Sequence, residues 1–376
     1  MSDIGVEVDI RSLGKAMRDG SDFWIHFRTV NCSRHDLGQA LNTANDPDGT
    51  FGEGPWDTPT GYAIRVRPGD LDNFDRWQTQ LVASLDYLGA TGRLEGVEPA
   101  GFRGNWPTDD PTPAAFLSWH EDLDAATADE NRTSHWHVPL DATTQILEHA
   151  AAWTATGGDQ AIVYLGPFPL AVSPESDVLS MMHSSLVSNG NTASIRFHSI
   201  QKRGRMATLR PGGAATMQEI GASVPWQQRV GAVHEALTTG PTQNLDLAFI
   251  RSAPSYARAW TQIDIRQKRD PRQKLPDLHE RNVRYNRHLL SSYTPDAHGI
   301  QILTDQHLSR ARDLSSWNIQ EIGDSRYLVK AEDLTPWYST PLPDQDVVDQ
   351  ARQDFGSMIL TKEVIAANPP PWKQGS

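Results

Sequence analysis

With 376 residues, 38% of them hydrophobic, the chain is long and apolar enough to bury the cores of two or three domains, which excludes general disorder. A single cysteine excludes an intrachain disulfide framework and a thiolate zinc site. The net charge of −13 hides a reversal: residues 1–195 carry 11 Lys and Arg against 28 Asp and Glu, residues 196–287 carry 16 against 7, and residues 288–376 carry 7 against 12.

Phe23 to Val30 is rich in aromatic and β-branched residues and predicts a strand. Ser33 and Asp36 then open a short helix through LGQALNTAN. Asp46 to Gly61 is dense in Gly and Pro and reads as a loop, whereas Tyr62 to Arg67 alternates as a half-buried strand does. Asp70 to Leu88 places Phe74, Trp77, Leu81, Leu85 and Leu88 at helical spacing behind acidic first-turn residues. This is a layered β-α-β-α unit over residues 1–98, followed by a Pro-rich linker over 99–113.

The remainder, 114–376, reads as a larger mixed α/β unit with hairpin insertions and a sub-boundary near 240. Helices are predicted over Leu140–Trp153, Asp177–Leu186, Trp226–Leu237, Tyr256–Ile263, Asp277–Leu290, Asp305–Leu314 and Asp346–Phe355. Strands are predicted over Gln160–Val172, Ser194–Ile200, Arg205–Leu209, Leu245–Arg251 and Gly299–Leu303. Pro167 and Pro169 send the first of these to a sheet edge. Gly323-Asp-Ser between two apolar runs signals a hairpin, and residues 367–376 form a loose Pro-rich tail. The fold class expected is mixed, α/β to α+β. Charges throughout the N-terminus and the shortness of the run Ala161–Val172 predict a cytoplasmic chain without membrane contact.

No P-loop, GxGxxG, HExxH, GxSxG or CxxC occurs. His and carboxylate residues offer the best metal candidates. In an extended segment His120 and Asp122 share a face, as do His135 and His137, so either pair can present two ligands to one divalent ion such as Fe or Mn. His120 and Asp122 followed by His183 and then Arg196 resemble the ligand order of Fe(II)/2-oxoglutarate oxygenases, a resemblance confined to those four residues. His135-Trp-His137 with Tyr164 beyond it resembles the metal motif of rolling-circle nucleases. The commoner role of such histidines is structural, since 13 in one chain make H-x-H and H-x-D pairs ordinary.

The basic third holds two clusters. One is Lys202-Arg203-Gly-Arg205 with Arg196 and Arg210; the other is Arg266-Gln-Lys-Arg269 with Arg272 and Lys274, running on to Arg281 and Arg284 at i, i+3 spacing. Tyr256, Trp260, Tyr285 and Tyr293 lie among them, the mixture that a phosphate backbone with stacked bases requires. Arg203, Arg205, Arg269, Arg272, Arg281 and Arg284 are therefore expected on one exposed face. The bland reading sets that charge against the acidic first half of the chain instead. The function expected is a non-catalytic binding protein with no cofactor, engaging an anionic partner, nucleic acid or an acidic protein, through residues 196–287. The alternative is a metal-dependent enzyme centred on His120, Asp122, His135 and His137.

Overall fold

The computed structural model describes residues 5–17, 23–44, 51–58, 60–66, 71–97, 111–120, 136–156, 160–165, 168–172, 177–188, 193–198, 204–210, 213–220, 224–254, 286–340 and 342–370. The chain has a mixed α/β fold and divides into two compact units, residues 1–103 with 162–171, and residues 104–161 with 172–376.

The first unit runs β1 (Val6–Asp9), α1 (Ile10–Ala16), β2 (Phe23–Thr29), α2 (Arg34–Thr43), β3 (Phe51–Thr58), β4 (Gly61–Val66), α3 (Leu71–Tyr87) and β5 (Gly92–Val97). Its sheet has the order β1-β5-β2-β4-β3, with β1 parallel to β5 and the other neighbours antiparallel. Ser33 caps α2 through a capping box with Asp36, which satisfies two of the helix's orphan donors. On β2, Phe23, Ile25 and Phe27 share one face and join Phe74, Trp77, Leu81 and Leu85 of α3 in a single core with Ile64, Val66 and Leu94. The helical spacing read from the sequence is thus the packed face of α3.

The stretch expected as a loop contains β3. Its Gly and Pro residues are tolerated because β3 is an edge strand, and two register shifts against β4 absorb the irregularity.

The other sheet has ten strands. They are β6 (Pro111–Trp119), β7 (Gln160–Leu165), β8 (Phe168–Val172), β9 (Ala193–His198), β10 (Gly204–Arg210), β11 (Ala214–Ile220), β12 (Leu245–Pro254), β13 (Ile300–Thr304), β14 (Trp317–Gly323) and β15 (Arg326–Ala331). Their order is β14-β15-β13-β12-β6-β11-β10-β9-β7-β8. The prolines of the expected linker therefore end in a strand, since β6 begins at Pro111. Residues 114–119 of β6 are all buried, and β6 lies antiparallel to both β11 and β12.

Helices α4 (Leu140–Ala155) and α6 (Trp226–Thr238) pack on this sheet, α4 against β9 and β10, α6 against β6, β11 and β12. Between them in sequence lies α5 (Val178–His183). Trp153 Nε1 donates to Ala232 O at 3.0 Å and His149 Nε2 to Ala236 O at 2.9 Å, so α4 and α6 lie side by side. The β14–β15 turn has Asp324 and Ser325 both at φ 53°, the backbone that a two-residue hairpin requires.

The helix expected over Asp305–Leu314 is a single turn, Asp305–Leu308, closed at its start by a Thr304–His307 capping box. Of the helix expected over Asp277–Leu290, residues 277–285 lie outside the described residues, and Arg287–Leu289 form a 3-10 turn. The helix expected at Tyr256–Ile263 also lies outside them.

Trp77 is fully buried between Phe74 and the sheet, its ring 5.9 Å from that of Phe74. Trp77→Ala should lower the unfolding free energy by about 3–5 kcal/mol, the ordinary cost of emptying a core tryptophan site. Urea denaturation followed by circular dichroism reads it, and a loss under about 1 kcal/mol would mean the site collapses freely.

Candidate functional site

Arg205 is the described member of the six candidate anion-binding arginines, and its surroundings differ from the expected exposed face. It stands on β10 directly opposite Glu219 of β11, its side chain 14% exposed. The guanidinium lies 3.8 Å from the Glu219 carboxylate and 3.2 Å from that of Glu235 on α6. It also caps the end of α4, donating to Thr156 Oγ1 and to Trp153 O, with its centre 4.8 Å over the Trp153 ring. The acids that neutralise it come from the basic third itself and not from residues 1–195. Arg205 is committed to joining the sheet to its two helices. Arg203, Arg269, Arg272, Arg281 and Arg284 lie outside the described residues.

This changes where the positive charge resides. Residues 204–254 hold 4 Lys and Arg against 3 Asp and Glu, close to neutral. Residues 255–285 hold 8 against 4, and 196–203 hold 3 against none. The excess belongs to the segments flanking β10–β12, while the strands themselves carry little of it.

The metal candidates are spread over separate elements. His120 directly follows β6, His137 lies in the segment before α4, and His183 ends α5, where the helix widens into a π turn over Ser184–Ser188. Asp122 and His135 lie outside the described residues. Among the described residues no three His, Cys, Asp or Glu gather as a metal would need. His120 does have a carboxylate near it, Asp246: Nδ1 lies 3.5 Å from Asp246 Oδ1. Asp246 is buried at a bulge where β12 slips against β6, between Leu245 and Leu247. A buried carboxylate facing Nδ1 favours the tautomer with its lone pair on Nε2, the arrangement used to orient a metal-ligating or proton-accepting imidazole.

A second polar group was not singled out in the sequence. On β2 the side chains of Trp24, His26 and Arg28 alternate away from the core, and the register sets His26 beside Ala63 on one side and Glu95 on the other. His26 is buried; Nε2 lies 2.8 Å from Thr58 Oγ1 and Nδ1 3.4 Å from Glu95 Oε1. Burial, aided by the Arg28 charge, pushes the imidazole down to about 4 against the opposing pull of Glu95. The neutral ring then donates from Nδ1 to the carboxylate and accepts the Thr58 hydroxyl at Nε2. Arg28 holds Glu95 from the other side, and Arg93 is paired with Asp9 of β1. The result is a satisfied ladder of charge across three strands. Only the strand assignment of Gly92–Val97 was needed to find it, since cross-strand register does the rest.

Two further histidines sit in the second unit, His298 half-buried and His307 buried. His298 stacks on Phe249 with ring centroids 4.0 Å apart, and Phe249 stacks on Phe116 at 4.9 Å. Burial pushes His298 down to about 3. His307 is fully buried, accepts from Thr304 N at Nδ1, and is pushed by burial to about 4. No known family model matches the chain, and no curated protein matches its sequence. Among the described residues no helix is long and apolar enough to cross a membrane.

Two outcomes follow from these surroundings. Arg205→Ala should destabilise the second unit by about 1–3 kcal/mol, as expected when a part-buried acceptor loses its donor, and thermal unfolding checks it. Protonating His26, His298 or His307 costs folding energy, because each has a folded value below its unfolded one near 6.5. The unfolded chain binds more protons in that window, so stability should fall as pH drops from about 6.5 toward about 4. His26→Gln should flatten part of that fall; an unchanged slope would remove His26 from the account.

Proposed function

We propose that the chain is a binding protein without catalytic chemistry of its own, engaging an anionic partner, nucleic acid or an acidic protein, through its basic third. The observation that carries this reading is the reversal of charge at residues 196–287 between two acidic flanks. The pairing of Arg205 narrows the reading to the residues on either side of the strands. Arg269, Arg272, Arg281 and Arg284, with Arg203, are the candidates, and Arg205 is not. Tyr256, Trp260 and Tyr285 fall in the same stretch and supply stacking surface for bases.

A metal-dependent enzyme is the second reading, and the specific support for it is the buried Asp246 held against His120. It requires Asp122 or His135 to complete a ligand set. Metal analysis of the purified protein reads it directly: stoichiometric Fe or Mn that is lost in His120→Ala favours it over the binding reading.

Binding to a labelled oligonucleotide across a salt series tests the first reading. Affinity should fall steeply with salt, with a slope near −0.9 per neutralised phosphate on duplex or about −0.7 on single strands. Replacing Arg281 and Arg284 together by Ala should flatten that slope by about one to two units, while Arg205→Ala leaves it unchanged. Salt-independent binding, or none to either oligonucleotide or acidic polypeptide, would return the charge reversal to pairing within the chain.

A further inference from the structure

The two sheets have four edges, and three of them carry devices that prevent pairing with another chain. β1 is four residues long and presents Glu7 and Asp9. β3 contains Pro55 and is broken by two register shifts. β8 contains Pro169. Short length, charge, bulges and proline are the usual means of blunting an edge.

Among the described residues the fourth edge, β14, has no strand paired on its outer side. It spans seven residues, Trp317-Asn-Ile-Gln-Glu-Ile-Gly323, with neither Pro nor Lys, and its one register shift lies at the hairpin end. It pairs with β15 along its length and is terminal in the sheet order. Asn318, Ile319, Gln320 and Glu321 are all exposed, and Ile319 is one of the exposed large apolar side chains among the described residues, at 45%. The strand is nonetheless firmly seated. Trp317 meets the Phe355 ring edge-on at 4.9 Å and donates from Nε1 to Asp354 at 3.2 Å.

We infer that β14 is a self-association edge, pairing antiparallel with β14 of a second copy of this chain about a twofold axis at Ile319. A twofold axis normal to the sheet keeps each side chain on its own face, so opposed residues must have numbers of the same parity. An axis at Ile319 sets Ile319 against Ile319, Asn318 against Gln320, and Trp317 against Glu321. Apolar meets apolar and amide meets amide. An axis at Gln320 would set Ile319 against Glu321 and Asn318 against Ile322, an axis at Glu321 would oppose two carboxylates, and an axis at Asn318 overlaps only about three residues of each strand. Cross-strand pairs of like character stabilise a ladder and apposed like charges destabilise it. Only the register at Ile319 pairs like with like across its three central positions and opposes no like charges. The ten-stranded sheet then continues from one copy into the next.

Sedimentation velocity of the full chain over a concentration series tests this. The wild type should shift from monomer to dimer as concentration rises, because a contact of one short strand per copy is small. Ile319→Lys brings two ammonium groups together and should weaken dimerisation at least about tenfold, with an unchanged thermal midpoint at concentrations where both proteins are monomeric, because the side chain lies outside the core. Ile319→Cys should cross-link to a dimer on mild oxidation, since opposed residues in an antiparallel pair lie within disulfide reach. The native Cys32 is buried and gives a low background. Glu321→Cys is the control, because its opposite number in this register is Trp317. A wild type that stays monomeric to its solubility limit overturns the inference. So does a dimer that survives Ile319→Lys, or cross-linking of Glu321→Cys as efficient as that of Ile319→Cys.

Discussion

Strand β6 sets the constraint on which the larger unit rests. It lies between β11 and β12, and its residues from Ala114 to Trp119 are all buried. A strand so placed has no water to satisfy its backbone, so both neighbouring ladders must form before it is stable. β12 reaches it from more than a hundred residues later in the chain, and β11 through the β10–β11 hairpin. α6 then covers β6, β11 and β12 together, and α4 lies against α6 through the Trp153 and His149 hydrogen bonds. The unit is therefore closed by contacts distant in sequence, a topology in which chain entropy opposes each step until the central ladder is complete.

The same constraint explains what could be read from the sequence. Elements with one wet face were legible, because water imposes periodicity: Phe74, Trp77, Leu81 and Leu85 on α3, or the alternating residues of β4. β6 shows no alternation because neither face is wet, and its opening prolines resemble a linker. β3 was hidden for the opposite reason, since an edge strand tolerates the Gly and Pro residues that mark a loop. β1 is hard to see although Val6 and Val8 alternate with acids, because a four-residue strand has too few periods to stand out.

Site residues were legible by type and obscure by partner. Arg205 was visible as charge, but its meaning depends on Glu219, which comes opposite only when β10 and β11 are seen as a hairpin. His120 was visible beside Asp122, while the carboxylate at its Nδ1 is Asp246, brought in by β12. His26 drew no attention because Thr58 and Glu95 lie 32 and 69 positions away. In each case the chemistry belongs to a register, and a register is a tertiary fact.

The route of the chain between β12 and β13 has a further consequence. These strands are hydrogen-bonded neighbours, with Ile250 opposite Ile300, yet residues 255–285 intervene between the end of β12 and the described turn at Arg287. The rungs between β12 and β13, from Ala248 opposite Ile302 to Ile250 opposite Ile300, are made by residues outside that stretch. Closing a longer connection costs little more, about 0.6 kcal/mol for each doubling of its length. A change in the length or charge of that connection therefore leaves these three rungs, and the residues that make them, as they are. Fold and electrostatic character can diverge at different rates, and the ten-stranded sheet is the part expected to keep its shape.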